Sequence, residues 1–212
     1  MNEKQKLLDE LKKEIETNIA LPLSKSANLV FGEGNPDADV CFIGEAPGFH
    51  EDKQQRPFVG LAGRLLDKLL TELNWPRESV YITNIVKRRP PENRDPLPEE
   101  IEAYAPYLAR QIEILQPKII ATLGRFSMNY YLPDTKISRD RGRLFHKNNL
   151  FIYPLYHPAA ALRSTNVLEE LRKDFLRLPQ AVERAKNGGV IKEPPPSEQK
   201  PEEGGEKQAS LF

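Results

Sequence analysis

The sequence predicts an α/β fold, a three-layer αβα sandwich with a central four-stranded parallel sheet. Three observations lead there. Apolar runs at 40–43, 80–83, 118–123 and 150–156 have the length and make-up of buried strands. Helical patterns lie between them, and parallel strands need such crossovers. Residues able to do chemistry stand directly after each run, where open parallel sheets bind ligands.

The elements follow in order. A first helix is expected over 3–17, where Leu7, Leu8, Leu11 and Ile15 recur at helical spacing among Lys and Glu. A loop runs from Leu21 to Pro36. The run Val40-Cys41-Phe42-Ile43, closed by Gly44, is the first strand. Leu61 to Leu73 reads as a helix with its leucines on one face. Val80 to Thr83 is the second strand. Arg89 to Pro98 is too rich in proline for regular structure. Glu99 to Leu115 is a helix that Pro106 should end early or kink. Lys118 to Leu123 is the third strand, and Gly124 opens a short helix toward Leu132. Leu150 to Tyr156 is the fourth strand, followed by a helix from Val167 to Lys186, interrupted near Pro179.

At Asn187 the composition changes to Pro, Glu, Lys and Gly with little to bury, which predicts disorder. The expected organisation is a domain over 1–186 and a tail over 187–212.

The chain has 212 residues, 39% hydrophobic and 29% charged, enough to bury a substantial core. No apolar run approaches the ~20 residues that span a bilayer, so no membrane partner is expected. The charged N-terminus lacks the apolar stretch of a secretory signal, so the cytoplasm is the expected compartment. The single cysteine, Cys41, excludes an intramolecular disulfide and a cysteine-rich metal site. The net charge is zero, which counts against a protein coated in positive potential. Two basic runs stand out, Lys87-Arg88-Arg89 with Arg94, and Arg139 to Arg143. Each alone reads as solvated surface.

The strand ends carry the functional signal. Gly44-Glu45-Ala46-Pro47-Gly48 follows the first strand, Asn84 the second, Gly124-Arg125 the third and His157-Pro158 the fourth. The glycines let backbone approach a planar ligand. Phe58, in the loop before the second strong helix, is an aromatic able to stack on a base. The Asn84 amide offers both a donor and an acceptor, which suits the O4 and N3–H edge of uracil. Each residue alone has an ordinary structural explanation: a turn, a core ring, a satisfied amide. Their convergence on one rim is not required by packing.

As a set, GEAPG, Glu51-Asp52, RPFVG-x-AG-x-LL, TNIVK-x-RPP-x-NR-x-P, QP-x-II-x-x-LG and YHPA-x-x-LR closely resemble the family 4 uracil-DNA glycosylases over roughly Val30 to Arg163. The resemblance implies the uracil-DNA glycosylase fold and a flipped-out nucleotide in a tight pocket. It implies hydrolysis of the N-glycosidic bond, with an abasic site left for base excision repair. Phe58 would stack on uracil, Asn84 would read its polar edge, and backbone at Gly44, Glu45 and Ala46 would meet its carbonyls. His157 would donate to O2 of the leaving base. Glu45 first, and Glu51 second, would orient water. Arg125, Leu162 and Arg163 would contact DNA, and the two basic runs would flank the pocket. The alternative is a uracil-DNA binding protein of the same fold without efficient turnover.

The sequence departs from the family at the four cysteines that hold its [4Fe–4S] cluster. The aligned positions are Asn18, Leu21, Arg88 and Tyr104, and none is cysteine. No metal and no cluster is expected. Packing of Leu21, Leu23 and Tyr104, with Arg88 stacked on Tyr104, is the expected substitute tether. Finally, Gln208-Ala209-Ser210-Leu211-Phe212 resembles the bacterial sliding-clamp binding motif, in which Gln208, Leu211 and Phe212 would fill the clamp pocket. A monomer acting on uracil-containing DNA, tethered to the clamp, is the expected state.

Overall fold

The computed structural model describes residues 2–188. The clamp-like residues Gln208, Leu211 and Phe212, and the tail from 189 on, lie outside them.

The chain opens with α1 (Glu3–Thr17), capped by the Asn2 side chain on the Lys4 N–H, and buries Leu8, Leu11 and Ile15. A two-residue strand, β1 (Glu33–Gly34), precedes β2 (Val40–Gly44). Then come α2 (Phe49–Gln54), α3 (Leu61–Glu72) and β3 (Tyr81–Asn84). After the Pro-rich loop come α4 (Pro98–Leu115), β4 (Ile119–Leu123), α5 (Arg125–Tyr131) and α6 (Ile137–Asp140). The chain ends with β5 (Phe145–Lys147), β6 (Leu150–Leu155), α7 (Pro158–Ala161) and α8 (Thr165–Lys186).

The sheet order is β1-β3-β2-β4-β6-β5. The inner strands β3, β2, β4 and β6 are parallel, as expected, and β1 and β5 add short antiparallel edges. Those edges are too short to leave a periodic signal. Side chains alternate across the sheet with period two. Val40 and Phe42 face α3, α7 and α8, packing with Leu66, Leu70, Leu171 and Phe175. Cys41 and Ile43 face α1 and α4, packing with Leu11, Ile15, Tyr104 and Leu108. Cys41 is a core residue, and burial pushes its thiol up to about 12.

Pro106 does not end α4 and Pro179 does not interrupt α8, contrary to expectation; both helices run unbroken. Pro106 lies on the solvent side, so the carbonyl it leaves free, that of exposed Glu102, faces water. In α8 the packing of Leu178, Ala181 and Val182 on the sheet outweighs one lost bond. A third proline, Pro154, sits inside β6. It pairs with Thr122 of β4, whereas β5 reaches only as far as Ile152, so no ladder bond is lost on the other side.

Candidate active site at the strand ends

The carboxyl ends of the four parallel strands open on a cavity of about 630 Å³, within the ~300–1,000 Å³ typical of small-ligand pockets. The loops after β2 and β3 are zipped together. Ile85 N–H donates to the Gly44 carbonyl (3.1 Å), and Val86 N–H to that of Glu45 (3.0 Å). On the other side Gly124 N–H donates to the Leu155 carbonyl (2.8 Å), which joins β4 to β6. Glu45, Asn84, Arg125 and His157 therefore converge on one rim. Ala46, Glu51, Phe58 and Arg163 also line it. Leu162 stands outside the lining and is half exposed.

Asn84 ends β3 with only 2% of its surface exposed, and its Oδ1 has no hydrogen-bond partner within the protein. A buried acceptor without a donor costs roughly 1–3 kcal/mol, so the position is set for something that enters the cavity. Gly44 makes the room. A Cβ there would fall 2.4 Å from Asn84 Oδ1 and 2.6 Å from the Phe58 ring.

Phe58 is a core residue that also faces the cavity. Its ring belongs to the core, 5% exposed, and its surface lines the cavity. It is held at φ 51°, a left-handed conformation that a bulky residue adopts only under constraint. The constraints are visible. Glu51 Oε1 accepts from Val59 N–H (2.9 Å) and Gly60 N–H (2.7 Å), and Arg77 Nη2 donates to the Pro57 carbonyl (2.6 Å). Gly63 is also required, since a Cβ there would run into the Phe58 carbonyl.

The Glu45 carboxyl is pushed up to about 7, first by burial, then by Asp95, against a lowering effect of Arg125. Arg125 and Asp95 pair across the rim at 3.1 Å. His157 is pushed the other way, down to about 4, by burial, with Glu51 opposing. Its Nδ1 accepts from Ala159 N–H (3.1 Å). The neutral ring therefore carries its proton on Nε2, as a donor.

The basic runs do not form a free positive face. Lys87 is fully buried; its Nζ donates to Thr83 Oγ1 (2.7 Å), the Asn84 carbonyl (2.8 Å) and Gln111 Oε1 (2.6 Å). It thus braces the strand end that carries Asn84, a role hidden in sequence by its basic neighbours. Arg88 is buried and donates to the Ala27 carbonyl, and Arg94 forms a two-pronged pair with Glu100. In the second run Arg139 pairs with Asp140, and Arg141 with Glu170 and buried Asp174. Arg94 lines the cavity, while Lys87 and Arg88 are taken up by internal hydrogen bonds and Arg141 by intramolecular carboxylates.

The positions aligned with cluster cysteines do not fit an iron–sulfur cluster. They present an amide, an alkyl chain, a guanidinium and a phenol, without a thiolate. They tie the surrounding segments together by other means. Tyr104 Oη donates to the Pro22 carbonyl (2.7 Å), Asn18 Nδ2 donates to Tyr107 Oη (3.0 Å), and Leu21 packs in the Tyr104 core with Leu23 against it. Arg88 meets Tyr104 at its hydroxyl, not by stacking on its ring as expected. Among the described residues no cluster of His, Cys, Asp or Glu is arranged to hold a metal ion.

Comparison with known proteins agrees with this geometry. Residues 31–178 match the family described as the Uracil DNA glycosylase superfamily. The chain is 47% identical over 161 residues to the type-4 uracil-DNA glycosylase of Sulfurisphaera tokodaii, covering 71% of this chain and 73% of that one. It is 39% identical over 191 residues to that of Thermotoga maritima, covering 88% and 97%. A strand-end pocket with this residue set and relatives at this level lead to one conclusion: the chain belongs to the type-4 branch of the uracil-DNA glycosylase superfamily.

Proposed function

We propose that this protein hydrolyses the N-glycosidic bond of uracil in DNA, leaving an abasic site for base excision repair. The unpartnered Oδ1 of Asn84 carries the reading. It is a buried acceptor in a cavity bounded by an aromatic ring, and the N3–H of uracil is the donor it lacks. Cytosine has no proton at N3 and would leave that acceptor unpaired, the type of mismatch that polar pockets reject strongly.

Departure of the base leaves an anionic uracil and a positively charged sugar. His157, neutral with a proton on Nε2, donates to O2 as charge builds there; a well-placed donor of this kind stabilises a transition state by ~3 kcal/mol. Glu45 in its ionised form orients water and offsets the sugar's charge. Phe58 stacks on the base, and Gly44 leaves its plane room to enter. Glu51 acts on Phe58 as a positioning residue through the Val59 and Gly60 N–H groups. Arg125, Leu162 and Arg163 meet the DNA around the flipped nucleotide. The relatives are named as glycosylases, and binding without turnover finds no support among them.

The enzyme works without an iron–sulfur cluster, because the residues at the ligand positions are unsuited to iron and are already bonded to neighbouring segments of the protein. It acts as a monomer in the cytoplasm, on the nucleoid, and Gln208, Leu211 and Phe212 dock it on a sliding clamp. Incubation with excess uracil-containing oligonucleotide, followed by alkali, tests the activity. Strand scission at the uracil beyond one event per protein molecule is expected; an intact strand after prolonged incubation would overturn the reading.

A further inference from the structure

In the proposed reaction the cavity takes one nucleotide, but its rim carries a second feature with no role in that chemistry. Phe49 directly follows Gly48, which lines the cavity, and it is 52% exposed. The Arg89 guanidinium lies over its ring at 5.3 Å, and His50 meets it edge-on at 5.4 Å. Arg89 is itself fixed, since its Nε donates to Asn93 Oδ1 (2.6 Å), and Asn93 and Pro90 line the cavity. A large aromatic ring is thus held in place by cationic and polar neighbours while half its surface stays open to water.

The strand order says where this ring stands. Phe49 and Arg89 grow from the loops after β2 and β3, and Leu162 and Arg163 from the loop after β6, with β4 between. At ~4.8 Å per strand the outer two of these are roughly 14 Å apart. The cavity therefore lies between two lips, each with an exposed apolar side chain beside an arginine. A strand that drops one nucleotide into the cavity must leave it over both lips.

Resting on the glycosylase reading, we propose that Phe49, backed by Arg89, is a stacking platform for the base next to the flipped uracil on the same strand. Every base has a π-face, so such a platform tolerates any neighbour, and it favours substrates whose flanking base is free to unstack. The adjacent guanidinium supplies the charge that a phosphate between the two nucleotides would meet.

A cycle between enzyme and substrate tests this. Oligonucleotides carry uracil with an ordinary base, or with a base-free tetrahydrofuran, at the 5′ or the 3′ neighbour. Single-turnover uracil release is measured for wild type, Phe49→Ala and Phe49→Trp. Removal of one flanking base should slow wild type about tenfold. Phe49→Ala should be slowed about as much on the intact oligonucleotide and lose nothing further when that base is removed, and Phe49→Trp should restore the sensitivity. Wild type insensitive to both flanks, or Phe49→Ala as sensitive as wild type at both, would overturn the platform. Release of uracil by wild type from the intact oligonucleotide separates this result from the activity itself. The same cycle read from equilibrium binding judges the platform even where no uracil is released.

Discussion

Glu45 should control the acid side of the rate. Burial and Asp95 hold its carboxyl at about 7, whereas His157, at about 4, stays neutral across the working range. If ionised Glu45 orients the water, the single-turnover rate rises with pH up to about 7 and then levels. Asp95→Asn removes a charge that raises the Glu45 value, so the limb should move to lower pH. Glu45→Gln should be slow and flat with pH. Glu51→Gln should retain most activity, because an amide oxygen still accepts from Val59 and Gly60; Glu51→Ala should not. Loss of the pH limb in Glu51→Gln, with Glu45→Gln unaffected, would exchange the two roles. That Asn84 and His157 share one rim was legible in sequence because strand ends in a parallel sheet form a rim; Phe58, which lines the same cavity, comes from a loop. Lys87 was not legible. Its burial depends on Thr83 and Gln111, and Gln111 comes from a helix 24 residues away; no local pattern records that.

At the scale of elements, the buried ion network on α8 anchors the His157 side of the site. Asp174 is fully buried, accepts from Arg141 and Arg177, and leaves no space for a side chain at Gly142. Arg141 in turn lies 5.2 Å from the ring centroid of Tyr156, next to His157. Asp174→Ala leaves these guanidinium groups without their buried partner and should cost about 3–5 kcal/mol in urea unfolding; a loss below ~1 kcal/mol would mean the network is replaceable by solvent. Helix positions were readable from leucine spacing, and the four parallel strands from apolar runs. Helices α2, α6 and α7 were not, because four to six residues make fewer than two turns, too few for a pattern to repeat. The prolines of α4 and α8 misled for a physical reason: local propensity is a few kcal/mol, and the packing of a long helix on a sheet exceeds it.

Over the whole molecule, the link between the N-terminal segment and the Pro-rich loop is the chief departure from the family pattern. Tyr104 to Pro22, Arg88 to Ala27 and Asn18 to Tyr107 join the segments that a cluster would otherwise tether. Purified protein should be colourless with substoichiometric iron, and chelation should leave its unfolding temperature unchanged. Stoichiometric iron with a brown colour would contradict that. The same molecule is neutral overall, and Arg139 and Arg141 of its second basic run are paired with carboxylates.

Chromatographic counting of free uracil tests the central claim most directly, with oligonucleotides that differ only in uracil or cytosine at one position. Wild type should release more than one uracil per protein molecule and no cytosine. His157→Ala, at the same folded concentration, should be slower by roughly two orders of magnitude. Equal release of both bases, or an unchanged rate in His157→Ala, would contradict the pocket as described.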